Sequence, residues 1–223
     1  GGGQSPKPGE ISLAHRGVLF LDEMPEFRRD LLESLRQPLE SGTVVISRAK
    51  ESLTLPSKFI LVAAMNPCPC GFHNDPEKDC RCGAYEVFRY QKKVSGPLLD
   101  RIDLQIEVPR IKIAQLQSAN SKSESGEVRE KVLAARKIQA KRLAEQKLLT
   151  NAEMPSKLVD KLANLTKEAE NFAKEIFDKS LLSARGYYRV LKVARTIADL
   201  EESEKVTADH LAEAFNYRLK NTD

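Results

Sequence analysis

Gly17-Val18-Leu19-Phe20-Leu21-Asp22-Glu23 is an apolar run that ends abruptly in two carboxylates. Four consecutive apolar residues without polar alternation predict a strand covered on both faces, the habit of a parallel sheet. Upstream, residues 1–10 are rich in Gly and Pro and read as loop, and 10–15 as a short helix ending near Gly17. Downstream, Phe27, Leu31, Leu35 and Leu39 recur every four residues and predict one apolar face of a helix over 26–40, stopped by Ser41-Gly42. Thr43 to Ile46 is β-branched and pairs in prospect with Ser52 to Leu55, with residues 48–51 at the hairpin tip. Residues 59–65 form a second buried strand ending at Asn66-Pro67; a cysteine-rich loop, a helix over 84–94 and a third strand over 104–108 follow.

The polar stretch 118–126 reads as a linker, and beyond it only helical periodicity is left, near 127–147, 156–164, 167–180, 183–200 and 207–219. Ser183 and Thr207 are suited to N-cap two of these helices. The predicted class is α/β: part of a parallel sheet with flanking helices over 1–117, then an all-α domain over 127–223.

The chain has 223 residues, 41% hydrophobic and 30% charged, with a net charge of +4. These are ordinary values for a globular protein and do not announce a nucleic-acid binder. No apolar run approaches the length that crosses a bilayer, and the start lacks a basic-then-apolar signal, so the expected location is cytoplasmic.

Asp22 and Glu23 stand at the C-terminal end of a buried strand, where open α/β sheets bind ligands. This is the pattern of a Walker B motif, in which the Asp holds Mg2+ through its water shell and the Glu polarises an attacking water. The same pattern also describes a strand with a solvated acidic turn. Asn66, at the end of the second strand, stands where an amide can hydrogen-bond a terminal phosphate and the lytic water; Asn-Pro is equally a turn starter. In Gly96-Pro97-Leu98-Leu99-Asp100-Arg101-Ile102-Asp103, Arg101 suits an arginine finger reaching a neighbour's phosphate, or else an ion pair with Asp100 or Asp103. Arg185, Arg189 and Lys192 share one face of the helix over 183–200, suited to phosphate or simply to solvent.

The four cysteines, Cys68, Cys70, Cys80 and Cys82, form two C-x-C pairs in one loop. Clustered thiols in a reducing compartment suggest a metal before disulfides, and two pairs can surround one structural Zn2+. His73 is an alternative ligand, and four reduced thiols in a flexible loop are the other reading. For DNA contact the candidates are Arg48 and Lys50 at the hairpin tip, and the helix over 127–147, whose seven basic and three acidic residues concentrate positive charge. That helix has no aromatic residue, and the chain has no Trp, so any binding is expected to be sequence-independent and salt-sensitive.

The order of these features resembles the Mg-chelatase-like AAA+ family, in its bacterial competence-associated branch. The stretches Pro8-Gly9-Glu10-Ile11-Ser12-Leu13-Ala14-His15, Ala64-Met65-Asn66-Pro67-Cys68-Pro69-Cys70-Gly71 and Leu191-Lys192-Val193-Ala194-Arg195-Thr196-Ile197-Ala198-Asp199-Leu200 carry the likeness most strongly. The resemblance implies a hexameric ATPase that uses ATP and Mg2+ and translocates on DNA, assisting branch migration during natural transformation. By the same likeness Asp22 and Glu23 are Walker B, Asn66 is sensor 1, Arg101 the finger and Arg185 sensor 2, with Arg189 also on the phosphate-facing side. It implies a partial AAA+ sheet followed by a helical lid. No G-x-x-x-x-G-K-S/T pattern occurs in the chain. Family members carry that P-loop upstream, so the chain is expected to be a C-terminal fragment that does not hydrolyse ATP by itself. The competing readings are the ATPase subunit of a magnesium chelatase, against which the cysteine loop counts, and a non-enzymatic zinc-stabilised binding module.

Overall fold

The computed structural model describes residues 7–47, 52–109, 125–179 and 182–218. The chain divides into two compact units, Gly1–Ile102 and Asp103–Asp223. The first is mixed α/β and the second is helical.

In the first unit, helix α1 (Glu10–Leu13) leads to strand β1 (Val18–Leu21) and a 3-10 turn at Met24–Glu26. Helices α2 (Arg29–Ser34) and α3 (Arg36–Ser41), strands β2 (Thr43–Ser47), β3 (Ser52–Pro56) and β4 (Ile60–Ala63), and helices α4 (Ala84–Gln91) and α5 (Gly96–Leu99) follow. β1 and β4 pair in parallel, Val18 opposite Ile60 and Leu21 opposite Ala63. β2 and β3 form the expected antiparallel hairpin, Val45 opposite Thr54. Arg48 and Lys50, proposed for DNA contact, lie outside the described residues.

Three expectations need correction. The helix over 26–40 is two helices meeting at Leu35. Pro38 has no N–H to return to Ser34, so the hydrogen-bond ladder is interrupted there. Its buried face is Leu32 and Leu35, each 1% exposed, with Leu39 beside them, whereas Phe27 and Leu31 face outward. Among the described residues the β1–β4 pair is covered on one face only. Leu19, Leu21 and Leu61 pack into a core with Met24, Leu32, Leu35, Val94 and Leu98, while Val18, Phe20, Ile60 and Val62 are exposed. Residues 104–108 are not a strand: Leu104, Ile106 and Val108 are exposed, and no described strand pairs with them.

Gly42 closes α3 at φ 68°, the left-handed geometry of a helix C-terminus. A Cβ there would stand 2.8 Å from Cγ of Lys58, so glycine suits both the turn and the close approach.

The second unit contains helices α6 (Ser125–Leu143), α7 (Ser156–Leu162), α8 (Lys167–Lys179), α9 (Ala184–Leu200) and α10 (Ala208–Asn216). α9 is the central element. Its Val190, Leu191, Ala194, Ile197 and Ala198 are buried against Leu143, Met154, Val159, Ala169, Leu211 and Phe215. Ser183 caps α9 by accepting the Gly186 N–H at 3.1 Å. At α10 the Thr207 N–H donates to His210 Nδ1 at 3.0 Å, and His210 Nε2 lies 2.9 Å from Glu201. With Nδ1 accepting, Nε2 carries the proton that Glu201 receives.

Candidate functional site

The parallel register ends β1 and β4 at the same end of the pair, so Asp22, one residue beyond β1, and Asn66, three residues beyond β4, both follow from that end. The exits are tied together. The Ala64 N–H donates to Leu21 O at 2.9 Å and the Met24 N–H to Ala64 O at 3.0 Å. Between these two anchors the chain turns through Glu23, which adopts φ 49° and ψ 43°. A glutamate in the left-handed region is uncommon and costs about 1–3 kcal/mol, a strain that gathers at functional sites. Oδ1 of Asp22 accepts the Glu23 N–H at 2.9 Å and holds the turn from within. Met24, 1% exposed, anchors it in the core. Asp22, Glu23 and Asn66 are all exposed, as groups that meet a ligand must be.

Tyr90 of α4 is buried, 5% exposed. Burial pushes its phenol above the ordinary value, and the charges of Glu26, Glu23 and Cys68 add to the effect. The sequence offered no signal for it beyond an aromatic on an apolar helix face.

Arg101 stands two residues beyond α5, whose start is capped by Ser95 accepting the Leu98 N–H at 3.3 Å. Arg101 is 9% exposed, donating to Pro97 O at 2.7 Å and to Oε2 of Glu40 at 2.5 Å. The carboxylate partner is neither Asp100 nor Asp103 but one 61 residues away in sequence, on the last turn of α3. Leu98, fully buried, sits in the core beside Arg101.

On α9, Arg189 is paired with Asp103 at 2.5 Å, so this member of the basic face is engaged within its own unit. Lys192 donates to Ala152 O at 3.0 Å, and burial, followed by the charge of Arg189, draws its pKa below the ordinary lysine value. Arg185, in the first turn of α9, is exposed.

The four cysteine sulfurs lie within 4.8 Å of one another, and all four are reduced. Cys68 Sγ is 3.4 Å from Cys70 and 3.7 Å from Cys80, and Cys70 is 3.6 Å from Cys80. His73 is not in this group. Backbone N–H groups of Arg81 and Phe72 pull the Cys70 thiol down to about 6. Cys82 is pushed up to about 12: the Cys70 backbone favours its thiolate, but burial and the neighbouring Cys70 and Cys68 sulfurs outweigh it. One thiolate therefore forms readily and opposes the next, and a cation at the centre would relieve that opposition.

The second unit holds a polar network that motif reading did not find. Asp199 is 0% exposed. It accepts from Arg142 at 2.7 and 2.6 Å, from Arg195 Nε at 3.1 Å and from Asn151 at 2.8 Å. Arg195, 1% exposed, also donates to the carbonyls of Ala163, Ser203 and Glu204. Burial draws the Arg195 pKa down and Asp199 opposes that shift. Arg142, one of the seven basic residues of the helix over 127–147, is engaged with Asp199. The only sequence hint was Arg195 and Asp199 four apart on a helix.

Residues 1–116 match the family described as magnesium chelatase, subunit ChlI, and residues 122–218 match its C-terminal counterpart. The chain belongs to this Mg-chelatase-like family. Among its relatives, Competence protein ComM of Haemophilus influenzae is 48% identical over 98% of this chain and 42% of its own length. YifB of Escherichia coli is 44% identical over 98% of this chain and 42% of its own length. The magnesium-chelatase 38 kDa subunit of Acidiphilium rubrum is 25% identical over 96% of this chain and 56% of its own. The chain thus spans less than half the length of the ComM and YifB relatives.

Proposed function

We propose that the chain supplies the acidic and sensor elements of an ATP-hydrolysing AAA+ motor, which in the whole protein assembles as a hexameric ring and acts on DNA in recombination or natural transformation. The observation that supports this reading is the parallel β1–β4 register with its Met24–Ala64 tie, with Asp22, Glu23 and Asn66 following the C-terminal ends of the two strands, the end at which open α/β sheets bind ligands. Asp22 is a hard oxygen donor suited to Mg2+ through its water shell. The bound ion would neutralise charge on the phosphates. Glu23, in its left-handed turn, orients and polarises the attacking water. Asn66 donates to the terminal phosphate and accepts from the same water. Arg185 at the start of α9 is suited to a further phosphate contact from the helical lid.

DNA as the substrate rests on the sequence resemblance to the competence-associated branch and on charge. Arg129, Lys131, Arg136, Lys137 and Lys141 are exposed on α6, a basic surface fit for phosphate backbone without base readout.

The test uses the natural protein, including whatever sequence precedes Gly1. ATP turnover is measured for the parent and for Glu23→Gln, with and without branched DNA. Turnover in the parent should rise with DNA and fall at least ~100-fold in the variant. Undiminished hydrolysis by Glu23→Gln sinks the assignment. Stimulation by a porphyrin-binding partner and not by DNA moves the motor to chelatase chemistry.

A further inference from the structure

Between β4 and α4 the chain runs through residues 64–83 with no helix or strand, and within 67–83 only Cys68 is buried. A structureless stretch of that length is uncommon inside a compact unit and needs something other than apolar burial to order it. Local polar contacts contribute a little. Asp75 accepts the N–H groups of Glu77 and Lys78 at 2.8 and 3.0 Å, and the Lys78 ammonium sits 4.0 Å over the Phe72 ring. Gly71, at φ 81°, turns its N–H back to Cys68 O at 3.0 Å. None of these bridges the two ends of the loop. The sulfurs do: Cys68 and Cys70 come from the β4 side, Cys80 and Cys82 from the α4 side.

We propose that Cys68, Cys70, Cys80 and Cys82 bind one Zn2+ as four thiolates, and that this ion clamps the loop shut and fixes where β4 hands over to α4. The sulfur separations carry the assignment. Four sulfurs about 2.3 Å from a central zinc form a tetrahedron with edges of about 3.8 Å. The separations among Cys68, Cys70 and Cys80, at 3.4, 3.6 and 3.7 Å, approach that edge from below, and the Cys82 sulfur lies within 4.8 Å of all three. A cluster of several irons would spread the sulfurs over different metals and hold them further apart than a common 4.8 Å. A disulfide bond would require a contact of about 2 Å. Four cysteine ligands leave no open coordination position, so the ion is structural and not catalytic. Each ligand must lose its proton to bind, so loading releases protons and couples the metal to the order of the loop.

The clamp reaches the acidic site through the chain itself. Cys68 is two residues beyond Asn66, and the intervening Pro67 carbonyl accepts from Gln91 of α4 at 3.1 Å. The zinc proposal stands without the nucleotide reading, because it concerns the loop and its metal alone.

The test uses the 223-residue chain expressed with zinc and purified without chelators. Elemental analysis should find about one zinc per chain, and Co2+ exchanged for it should give the intense thiolate charge-transfer and visible bands of a tetrahedral four-sulfur site. Trypsin should spare Lys78 and Arg81 in the loaded chain and cut there once a chelator has removed the metal. The Cys80→Ser, Cys82→Ser double variant should lose the zinc, and the trypsin readout on the parent keeps the test independent of that variant's folding. Zinc below about a tenth of an equivalent with all four thiols reacting freely with a thiol reagent overturns the proposal. So does about one equivalent of iron with a red thiolate chromophore, and so does a loaded loop that trypsin cuts as fast as the metal-free one.

Discussion

Glu23 shows how a single residue's backbone can serve chemistry at a cost in stability. Its left-handed conformation is one an asparagine or glycine would adopt with less strain, yet the position holds the side chain that polarises water in the proposed reaction. Arg101 presents the opposite case. The motif around it suggests an outward role, and the structure buries it on Glu40. Arg101→Ala is expected to destabilise the first unit by about 1–2 kcal/mol, since Glu40 is half exposed and re-solvates once its partner is gone. A urea midpoint measured on this chain checks it. An arginine that served only a neighbouring subunit would leave the midpoint unmoved.

At the scale of elements, α9 is held by charge as well as by apolar packing. Asp199 and Arg195 sit four apart on one helix, and Arg142 reaches them from α6 and Asn151 from the turn before α7. Every partner removes a buried polar group's need for water, so the network is sound only while complete. Asp199→Ala would strand Arg195 in the interior and is expected to cost about 3–5 kcal/mol. The corresponding loss of the helical unit's denaturation midpoint measures it, and a change under about 0.5 kcal/mol would mean the network is not what joins α9 to α6. The α2–α3 break teaches a related point. Apolar spacing predicted one helix with Phe27 and Leu31 inside, but Pro38 divides it and the divided helix turns Leu32 and Leu35 inward instead.

At the scale of the whole molecule, the chain carries Asp22, Glu23 and the proposed sensor Asn66 but no P-loop pattern to cradle phosphates with backbone N–H groups and a lysine. Isothermal titration of ATP into this chain with Mg2+ should therefore show no tight stoichiometric binding, and tight binding would place a phosphate cradle somewhere the sequence does not announce. Val18, Phe20, Ile60 and Val62 give β1 and β4 an exposed apolar face among the described residues.

What sequence alone determined was the order of the four strands, the acidic strand end, the amide after the neighbouring strand, the helical character beyond residue 125 and the clustering of the cysteines. These follow from short-range periodicity, turn chemistry and spacing, which a linear chain displays directly. The structure decided what periodicity cannot reach: Arg101 on Glu40, 61 residues apart, Arg142 on Asp199, 57 residues apart, and the uncovered face of a strand that reads as wholly buried. A charged side chain's partner is whichever opposite charge the packed core brings within reach, and a strand's burial depends on what is laid against it. Neither is a property of the residues nearby in sequence.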